Sequence, residues 1–392
     1  MPQPYGAANP TTGQDYIFLS TLVNLIRPSQ SYLRESLFPS SSEQLLPTEQ
    51  AEMTEVRAAR SMAPFTRPGT PPRPVQGLEY TYDRIATPYI SIEREIEMRD
   101  AIFTRRPTAG IFHTGTDQMT AATREHLARE FTKLTWMIEN REEWQVASML
   151  TTKSMSYTDE AGDAWSAQWR TSASLSGINL AANTYWDSYT LNGTTGVFNE
   201  AEVQSTDPSN IAKEIGREMV NLIGVFPDTC IMGADAADAF EKHPHVLKKL
   251  DTQNLQVGAL NLNNQFSQQG VRLIGIYRGI TYWEYSRALT DNEGPNQTDT
   301  ELIPADTAVF ISKSDIAQRE MYYGALANIH AISGRQAVYT LSDIQNMRPV
   351  QIRRFGDVYV SHDGNTASGI VTTRPMPNVR VADTFHALKV VG

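Results

Sequence analysis

Few residues of this sequence have the type and spacing that site chemistry requires. His243 and His245 flank one proline, and two imidazoles so placed could bind a metal ion. No cysteine or obvious third ligand stands near them, so we favour an exposed junction between helical segments. The stretch SHDGN at 361–365 resembles the first half of a calcium loop, but the bidentate glutamate that ends such loops is missing. We interpret it as a turn between strands, and we expect no metal and no cofactor.

Catalytic motifs are also missing from the sequence. It contains no Walker loop, no GxGxxG, no GxSxG and no HExxH. The single cysteine, Cys230, excludes an intrachain disulfide and a cysteine-based zinc site, and we expect it to be a small buried hydrophobic residue. Serine, histidine and aspartate occur, but triads assemble in space rather than at fixed spacings. We therefore predict that the protein is not an enzyme; a cytosolic hydrolase without a recognisable motif is the alternative from another class.

Composition narrows the class of protein further. The 392 residues are about 40% apolar and carry a formal net charge of −10, which describes a globular chain and argues against a surface built to grip nucleic acid. An acidic wall could still enclose DNA, because repulsion keeps the polymer from sticking to it. No apolar run reaches the length of a membrane span, and the start of the sequence is unlike a signal peptide. We expect the chain to stay in the cytoplasm where it is made.

One stretch is unsuited to both helix and core. PFTRPGTPPRPVQGLEYTYD, residues 64–83, begins with five prolines and two arginines, Arg67 and Arg73, in eleven residues. It ends with Tyr80 and Tyr82 alternating with polar residues, which is the period of a strand. An isolated two-stranded hairpin is only marginally stable in water. The segment is therefore either disordered or lies on another surface.

The next segment alternates more strictly. YISIEREIEMR, residues 89–99, places Glu93, Glu95 and Glu97 on one face of a predicted strand. The opposite face would carry the apolar residues Ile90, Ile92, Ile96 and Met98. This pattern predicts a half-buried strand with one acidic face.

Helices and strands are mixed without a regular repeat. A long helix is predicted over about 119–150, since apolar residues recur there at steps of four, three and four at Leu127, Phe131, Leu134 and Ile138. A second helix should begin after Asp207, with Pro208 as its first residue, and end at Gly224. Asn192-Gly193 is a hairpin candidate. Strands are predicted in FPDTCIM, VRLIGIYRGITYWEYS and AVFISKS. We predict an α+β fold and no doubly wound sheet.

Several phrases in a fixed order carry a family resemblance. They are SYLRESLFP, DTCIMGADAADAFEKHPHVLKKLDT, YRGITYWEYS, IPADTAVFISKSDIAQREMYYGALANIHA and TTRPMPNVRVADTFHALKVV. With these the chain resembles the major capsid proteins of the lambda-type tailed-phage family, which share the Hong Kong ninety-seven fold. Two places depart from the family pattern: the loop tip is richer in proline, and the Gln/Asn-rich stretch 253–269 has no clear counterpart.

The resemblance implies a division of the chain into five regions. In chain order these are an N-terminal arm (1–47), an extended two-stranded loop (48–88), a peripheral domain with a spine helix at about 119–150 (89–224), an axial domain (225–340) and C-terminal strands that return to the peripheral domain (341–392).

The resemblance also implies a function. Such a protein self-assembles into pentamers and hexamers of an icosahedral shell that encloses double-stranded DNA. The extended loop lies on a neighbouring subunit, and the N-terminal arm reaches another neighbour. Residues of that loop, Arg67, Arg73, Tyr80 and Tyr82, would then make intersubunit contacts. The acidic face Glu93, Glu95 and Glu97 would be available to the arginines, whose planar forks pair with carboxylates.

Partners and location follow from the same resemblance. The partners would be copies of the chain itself, a separate scaffolding protein, a portal, a decoration protein as a further candidate, and packaged DNA contacted weakly and non-specifically. The protein would be part of the virion and would be assembled in the host cytoplasm. A protein nanocompartment of the encapsulin type is the alternative function on the same fold.

Overall fold

The structure is a computed structural model of the chain. It describes residues 31–56, 65, 80–97, 116–158, 164–190, 198–248, 270–290, 299–314, 318–326, 351–360 and 366–392. The predicted turn at 361–365 and the Asn192-Gly193 hairpin candidate lie outside these residues.

Six α-helices occur in the described residues. They are α1 (Tyr32–Leu37), α2 (Thr116–Thr152), α3 (Ala173–Ser176), α4 (Glu200–Ser205), α5 (Pro208–Ile223) and α6 (Ala234–Lys242). Short 3₁₀ turns are found at Ser40–Ser42, Ala182–Thr184 and Ala382–Thr384.

Helix α5 begins and ends where local chemistry predicts. The side chain of Asp207 accepts a hydrogen bond from the backbone N–H of Ser209 at 2.9 Å, and Pro208 is the first helical residue. Proline suits this position because the N–H it lacks would have no partner within the helix. Gly224 ends the helix with φ of 77°, a conformation that costs glycine little. The predicted boundaries of this helix are confirmed.

Helix α2 is the long helix expected over about 119–150. Its 37 residues extend over about 55 Å at 1.5 Å per residue. Phe131, Leu134 and Ile138 of the predicted apolar face are buried, and Ile90 and Ile92 pack against them.

Seventeen strands occur in the described residues. Those before α5 are β1 (Glu43–Leu45), β2 (Gln50–Val56), β3 (Tyr80–Ala86), β4 (Ile90–Glu97), β5 (Ser154–Thr158) and β6 (Ala164–Gln168). Those after it are β7 (Thr229–Met232), β8 (Val271–Tyr277), β9 (Ile280–Tyr285), β10 (Ala288–Thr290), β11 (Asp299–Glu301), β12 (Thr307–Ile311), β13 (Arg319–Tyr323), β14 (Phe355–Val360), β15 (Thr366–Thr373), β16 (Pro375–Val379) and β17 (Phe385–Lys389).

The largest sheet has the strand order β17-β12-β7-β9-β8 and is apolar on both faces. Ile231 and Val309 on one face share a buried cluster with Val146 and Met149 of α2. Alternate residues on the other face join a second cluster with α5 and α6, formed by Cys230, Met232, Phe310, Ile211, Ile215 and Phe240 among others. The sheet is therefore the middle layer between the C-terminal half of α2 and the helices α5 and α6.

Two three-stranded sheets complete the packing around α2. Strand β4 pairs antiparallel with β15, which pairs with β14, and Val371 of β15 packs on Phe131 of α2. Strand β13 lies between β1 and β16. Strands β14 and β15 thus lie in one sheet with β4, whereas β17 pairs with β12 in the five-stranded sheet. The fold is a mixture of helix and sheet, as predicted, and the division into domains stays a prediction.

Candidate assembly surfaces

Strands β2 and β3 form the two-stranded element expected at residues 48–88. They pair antiparallel in continuous register, with Gln50 opposite Ala86 at one end and Val56 opposite Tyr80 at the other. Tyr82 also lies in β3. The predicted contact residues Arg67 and Arg73 fall outside the described residues.

The base of this hairpin is fixed to its own subunit. Met53 of β2 is buried in the cluster that contains Ile231, Val309, Val146 and Met149, here called the central cluster. Just beyond the strands, the backbone N–H of Thr87 donates to the carbonyl of Glu49 at 2.9 Å, and Arg374 pairs with the Glu49 carboxylate at 3.2 Å. The indole N–H of Trp165 donates to the carbonyl of Ala86 at 2.6 Å. These contacts fix the Gln50–Ala86 end of the hairpin to the rest of its own subunit.

The predicted acidic face lies on β4. Glu93 and Glu95 are exposed, and Glu97 occupies the strand position opposite Thr366. Arg94, on the face turned toward α2, pairs with Glu130 of that helix at 3.1 Å. The described side chains of β4 thus have the two-faced arrangement that the alternation predicted. Whether the acidic face meets the loop arginines of a neighbour stays a prediction.

A buried charge cluster, here called the arm cluster, attaches the N-terminal segment to α2. It contains Arg34 of α1, Glu139 and Glu142 of α2, and Arg354. Arg34 Nε lies 2.9 Å from Glu142 Oε2, and Arg354 Nη1 lies 2.8 Å from Glu139 Oε1. Burial alone would raise the pKa of Glu142, but the positive charges of Arg354 and Arg34 outweigh burial and lower it. Glu142 is therefore held as a carboxylate between the two arginines.

Glu143, the next residue of α2, holds the backbone of the same segment. Its carboxylate accepts hydrogen bonds from the backbone N–H groups of Leu33 and Arg34, at 2.8 and 2.9 Å, and from the Tyr285 hydroxyl at 2.8 Å. Burial raises the pKa of Glu143, although these donors oppose the rise. Sequence reasoning missed both features. The available signal was three glutamates, Glu139, Glu142 and Glu143, at helical spacing on a helix that must be buried.

Exposed apolar side chains are a second feature that sequence reasoning did not single out. In the described part of the chain, the large exposed ones are Leu45, Phe65, Tyr89, Trp136, Met137, Phe198, Val220, Phe226, Leu247, Leu273 and Ile276. Single exposed apolar residues are normal, whereas adjacent ones mark contact surfaces. Leu273 and Ile276 are adjacent on one edge strand.

The two histidines of the HPH sequence serve a structural connection. His243 Nε2 lies 3.1 Å from the Thr206 hydroxyl, and His245 Nδ1 lies 3.3 Å from Asp207 Oδ2. They join the end of α6 to the start of α5. The expectation of an exposed junction is wrong for His243, which is fully buried, with the ring of Tyr189 against it at a centroid distance of 5.4 Å. Among the described residues, no group of three or more His, Cys, Asp or Glu could hold a metal ion. Cys230 is buried, as predicted.

Comparison with protein families identifies the family to which this chain belongs. A family model described as phage major capsid protein E matches residues 19–390. The chain belongs to this family. The family is one of structural capsid proteins, so the capsid protein is a component of a phage virion, and the family match favours this function over both the encapsulin-type compartment and the hydrolase.

Comparison with solved structures agrees with the fold. A protein described as a capsid protein of an Escherichia coli CFT073 prophage is 13% identical, with a TM-score of 0.61, and the match covers 97% of this chain and 99% of that one. A phage-related protein of Bordetella bronchiseptica RB50 is 12% identical, with a TM-score of 0.48 over 95% and 96% of the two chains. The capsid of Ralstonia phage GP4 is 10% identical, with a TM-score of 0.44 over 94% and 92%.

The first of these similarities shows the Hong Kong ninety-seven fold of phage capsid proteins for this chain. A search of curated protein sequences gives no match. Within the described ranges, no helix is both long and apolar enough to span a membrane.

Proposed function

We propose that this capsid protein forms the pentamers and hexamers of an icosahedral phage head that encloses double-stranded DNA. The observation that carries the proposal is the match to a major capsid protein family over residues 19–390. Self-association is the common property of such shell proteins, and many weak contacts repeated over a closed shell sum to a stable particle.

The β2–β3 hairpin is the proposed intersubunit element. Its base is fixed by Met53, Glu49 and Thr87 of its own subunit, so its far end can be presented to a neighbour in one direction. There Arg67 and Arg73, with Tyr80 and Tyr82, contact the next subunit. The proposed partners of the arginines on that neighbour are Glu93 and Glu95 of β4, whose carboxylates are exposed, together with Glu97 of the same strand.

The remaining partners are proposed on the same basis. A separate scaffolding protein, a portal and, as a further candidate, a decoration protein bind the shell during or after assembly in the host cytoplasm. Packaged DNA is contacted weakly and without sequence preference, because the net charge of −10 disfavours a tight phosphate-binding surface. The protein has no catalytic role.

Electron microscopy of the expressed protein tests the proposal. The intact chain, produced with and without a phage scaffolding protein, should give closed shells in negative stain. A variant lacking residues 64–76 should give folded subunits, with the thermal melting of the intact subunit, and no closed shells. A matched control is Arg84→Ala at the exposed base of the hairpin, which should still assemble. Monomers from the intact chain under both conditions would contradict the shell, and normal shells from the deletion variant would contradict the role of the loop.

A further inference from the structure

Strand β8 carries exposed apolar side chains at the edge of the five-stranded sheet. Leu273 is 41% exposed and Ile276 is 63% exposed. An edge strand with aliphatic side chains in water is a site for association, and proteins normally cover or charge such edges. We therefore ask which other apolar segment of the protein covers Leu273 and Ile276.

A bulge gives these two side chains a common direction. Leu273 is paired with Trp283, but Gly275 is paired with Tyr282, so Ile274 is an extra residue in β8. Without the bulge, residues 273 and 276 would point to opposite faces, because side chains alternate along a strand. With it, both share the face of Trp283. We call Leu273, Ile276 and Trp283 the β8 patch.

The β8 patch adjoins the point where the N-terminal segment meets the core. Trp283 packs partly against the central cluster, and its ring centroid lies 5.8 Å from that of Tyr32. Tyr32 is the first residue of α1, and the described chain begins one residue earlier, at Ser31. The chain that precedes α1 therefore starts beside the patch.

That preceding chain contains a suitable apolar segment. Residues 16–26 read YIFLSTLVNLI, and none of them is charged. Covering each large aliphatic side chain stabilises a protein by about 1.5–3 kcal/mol, so both this segment and the patch gain from contact with an apolar surface. From Ile26 to Tyr32 an extended chain spans at most about 20 Å. Neighbouring strands are only about 4.8 Å apart, so the patch is within reach of the same chain.

We propose that residues 16–26 dock on the β8 patch of their own subunit. The covalent connection through residues 27–31 favours this over docking on another copy, since a short tether gives an effective concentration of about 1 mM or more. The contact is apolar on both sides and needs no counter-charge. It does not depend on shell assembly and is present in the isolated subunit.

Disulfide trapping tests the contact with the full chain. The only native cysteine, Cys230, is buried, and burial raises the pKa of its thiol, so introduced cysteines are the reactive ones. Unassembled subunits carrying Leu22→Cys and Ile276→Cys should form an intramolecular disulfide under mild oxidation. The product keeps the monomer mass on a non-reducing gel, and peptide mass spectrometry identifies the linked pair. The matched control pairs Leu22→Cys with Leu247→Cys, which should not crosslink. Leu247 is 48% exposed and directly follows Val246, a member of the cluster on the other sheet face.

The other outcomes overturn the proposal. Disulfide-linked dimers would show that the segment of a second copy occupies the patch. Crosslinking no faster than in the Leu247→Cys control would show that residues 16–26 do not dock there. A second measurement uses Ile276→Cys alone: adding Leu22→Asp and Val23→Asp should raise its rate of maleimide labelling several-fold, and an unchanged rate would count equally against docking.

Discussion

Arg354 and Arg84 both pair with glutamates at similar distances, but in opposite surroundings. Arg354 is 2% exposed in the arm cluster and lies 2.8 Å from Glu139. Arg84 is 73% exposed on the β2–β3 hairpin and lies 2.9 Å from Glu52. A charge that loses its partner in the buried arm cluster cannot regain contact with water, whereas a charge that loses its partner on the exposed hairpin can. Removing one partner of a buried pair is therefore far more costly than removing one of an exposed pair.

This difference separates two tasks within one chain. The arm cluster joins the N-terminal segment, α2 and residue 354 into one subunit, and its members cannot be exchanged singly. The hairpin charges contribute little to the subunit itself and remain available for other contacts. The subunit fold and the proposed intersubunit contacts should therefore respond to different substitutions, and four predictions test that separation.

The largest effect is expected for Arg354→Met. Methionine fills part of the volume but leaves Glu139 and Glu142 buried without the guanidinium, while Glu142 keeps Arg34. We expect the free energy of unfolding to fall by about 3–5 kcal/mol. Urea unfolding of unassembled subunits, followed by circular dichroism, measures this. A loss below about 1 kcal/mol would show that the arm cluster does not hold the subunit together.

Local features of this chain could be predicted from sequence, and long-range ones could not. The boundaries of α5 follow from Asp207, Pro208 and Gly224, which act within one or two turns of the helix. Glu142 pairs with Arg34 and with Arg354, which are both far from it in the chain. The spacing of glutamates along one helix does not predict which arginines will pair with them.

The candidate assembly surfaces likewise include one that could be predicted from the sequence and one that could not. Alternation predicted that Glu93 and Glu95 would lie on an exposed strand face, since burial follows the period of the strand. The β8 patch could not be predicted, because an inserted residue, Ile274, changes the face on which Ile276 lies. Contacts between subunits depend on a second copy and are not encoded in any local pattern.

His386 extends the comparison to a buried group without a countercharge. Its Nε2 donates to the carbonyl of Ile178 at 2.9 Å, and its Nδ1 lies 3.3 Å from Lys153 Nζ. A lysine ammonium can only donate, so Nδ1 accepts and the ring is neutral. Burial, and then the charge of Lys153, lower the pKa of His386 from 6.5 to about 4.

A pH-dependent loss of subunit stability follows from this lowered pKa. The unfolded chain binds a proton below pH 6.5 but the folded chain only near pH 4, so stability is full above 6.5 and falls as the pH drops toward 4. The lost stability is about 3 kcal/mol. In His386→Gln, whose amide can still donate to Ile178, this part of the pH dependence should disappear. Unfolding curves between pH 7 and 4 compare the two proteins; identical slopes would show that His386 does not titrate in this range.

A smaller effect, confined to assembled shells, is expected for Arg67→Glu combined with Arg73→Glu. If these arginines meet the acidic face of a neighbour, each lost contact costs about 0–1 kcal/mol, repeated at every subunit interface. Thermal melting of shells should shift downward and shell yield should fall, while isolated subunits should melt as before. The control is Arg84→Glu, on the same hairpin but paired within its own subunit. Equal shifts in shells and subunits, or no shift in shells, would show that the two loop arginines face only water.

The smallest effect is expected for Arg84→Ala. This substitution removes an exposed ion pair, whereas the pairs of Arg354 are buried. Both partners are well exposed, at 73% and 60%, so each regains water when the other is removed. We expect the free energy of unfolding to change by less than about 0.5 kcal/mol, and raising the salt concentration to 1 M should abolish even that change. A double-mutant cycle with Glu52→Ala, measured by urea unfolding at low and high salt, isolates the pair from the other contacts of each side chain. A coupling energy of about 2 kcal/mol or more would mean that the exposed Arg84–Glu52 pair stabilises the subunit as strongly as a buried pair, contrary to the distinction between the hairpin and the arm cluster. A loss of melting temperature in shells alone would instead place the base of the hairpin, together with its tip, at the interface between subunits.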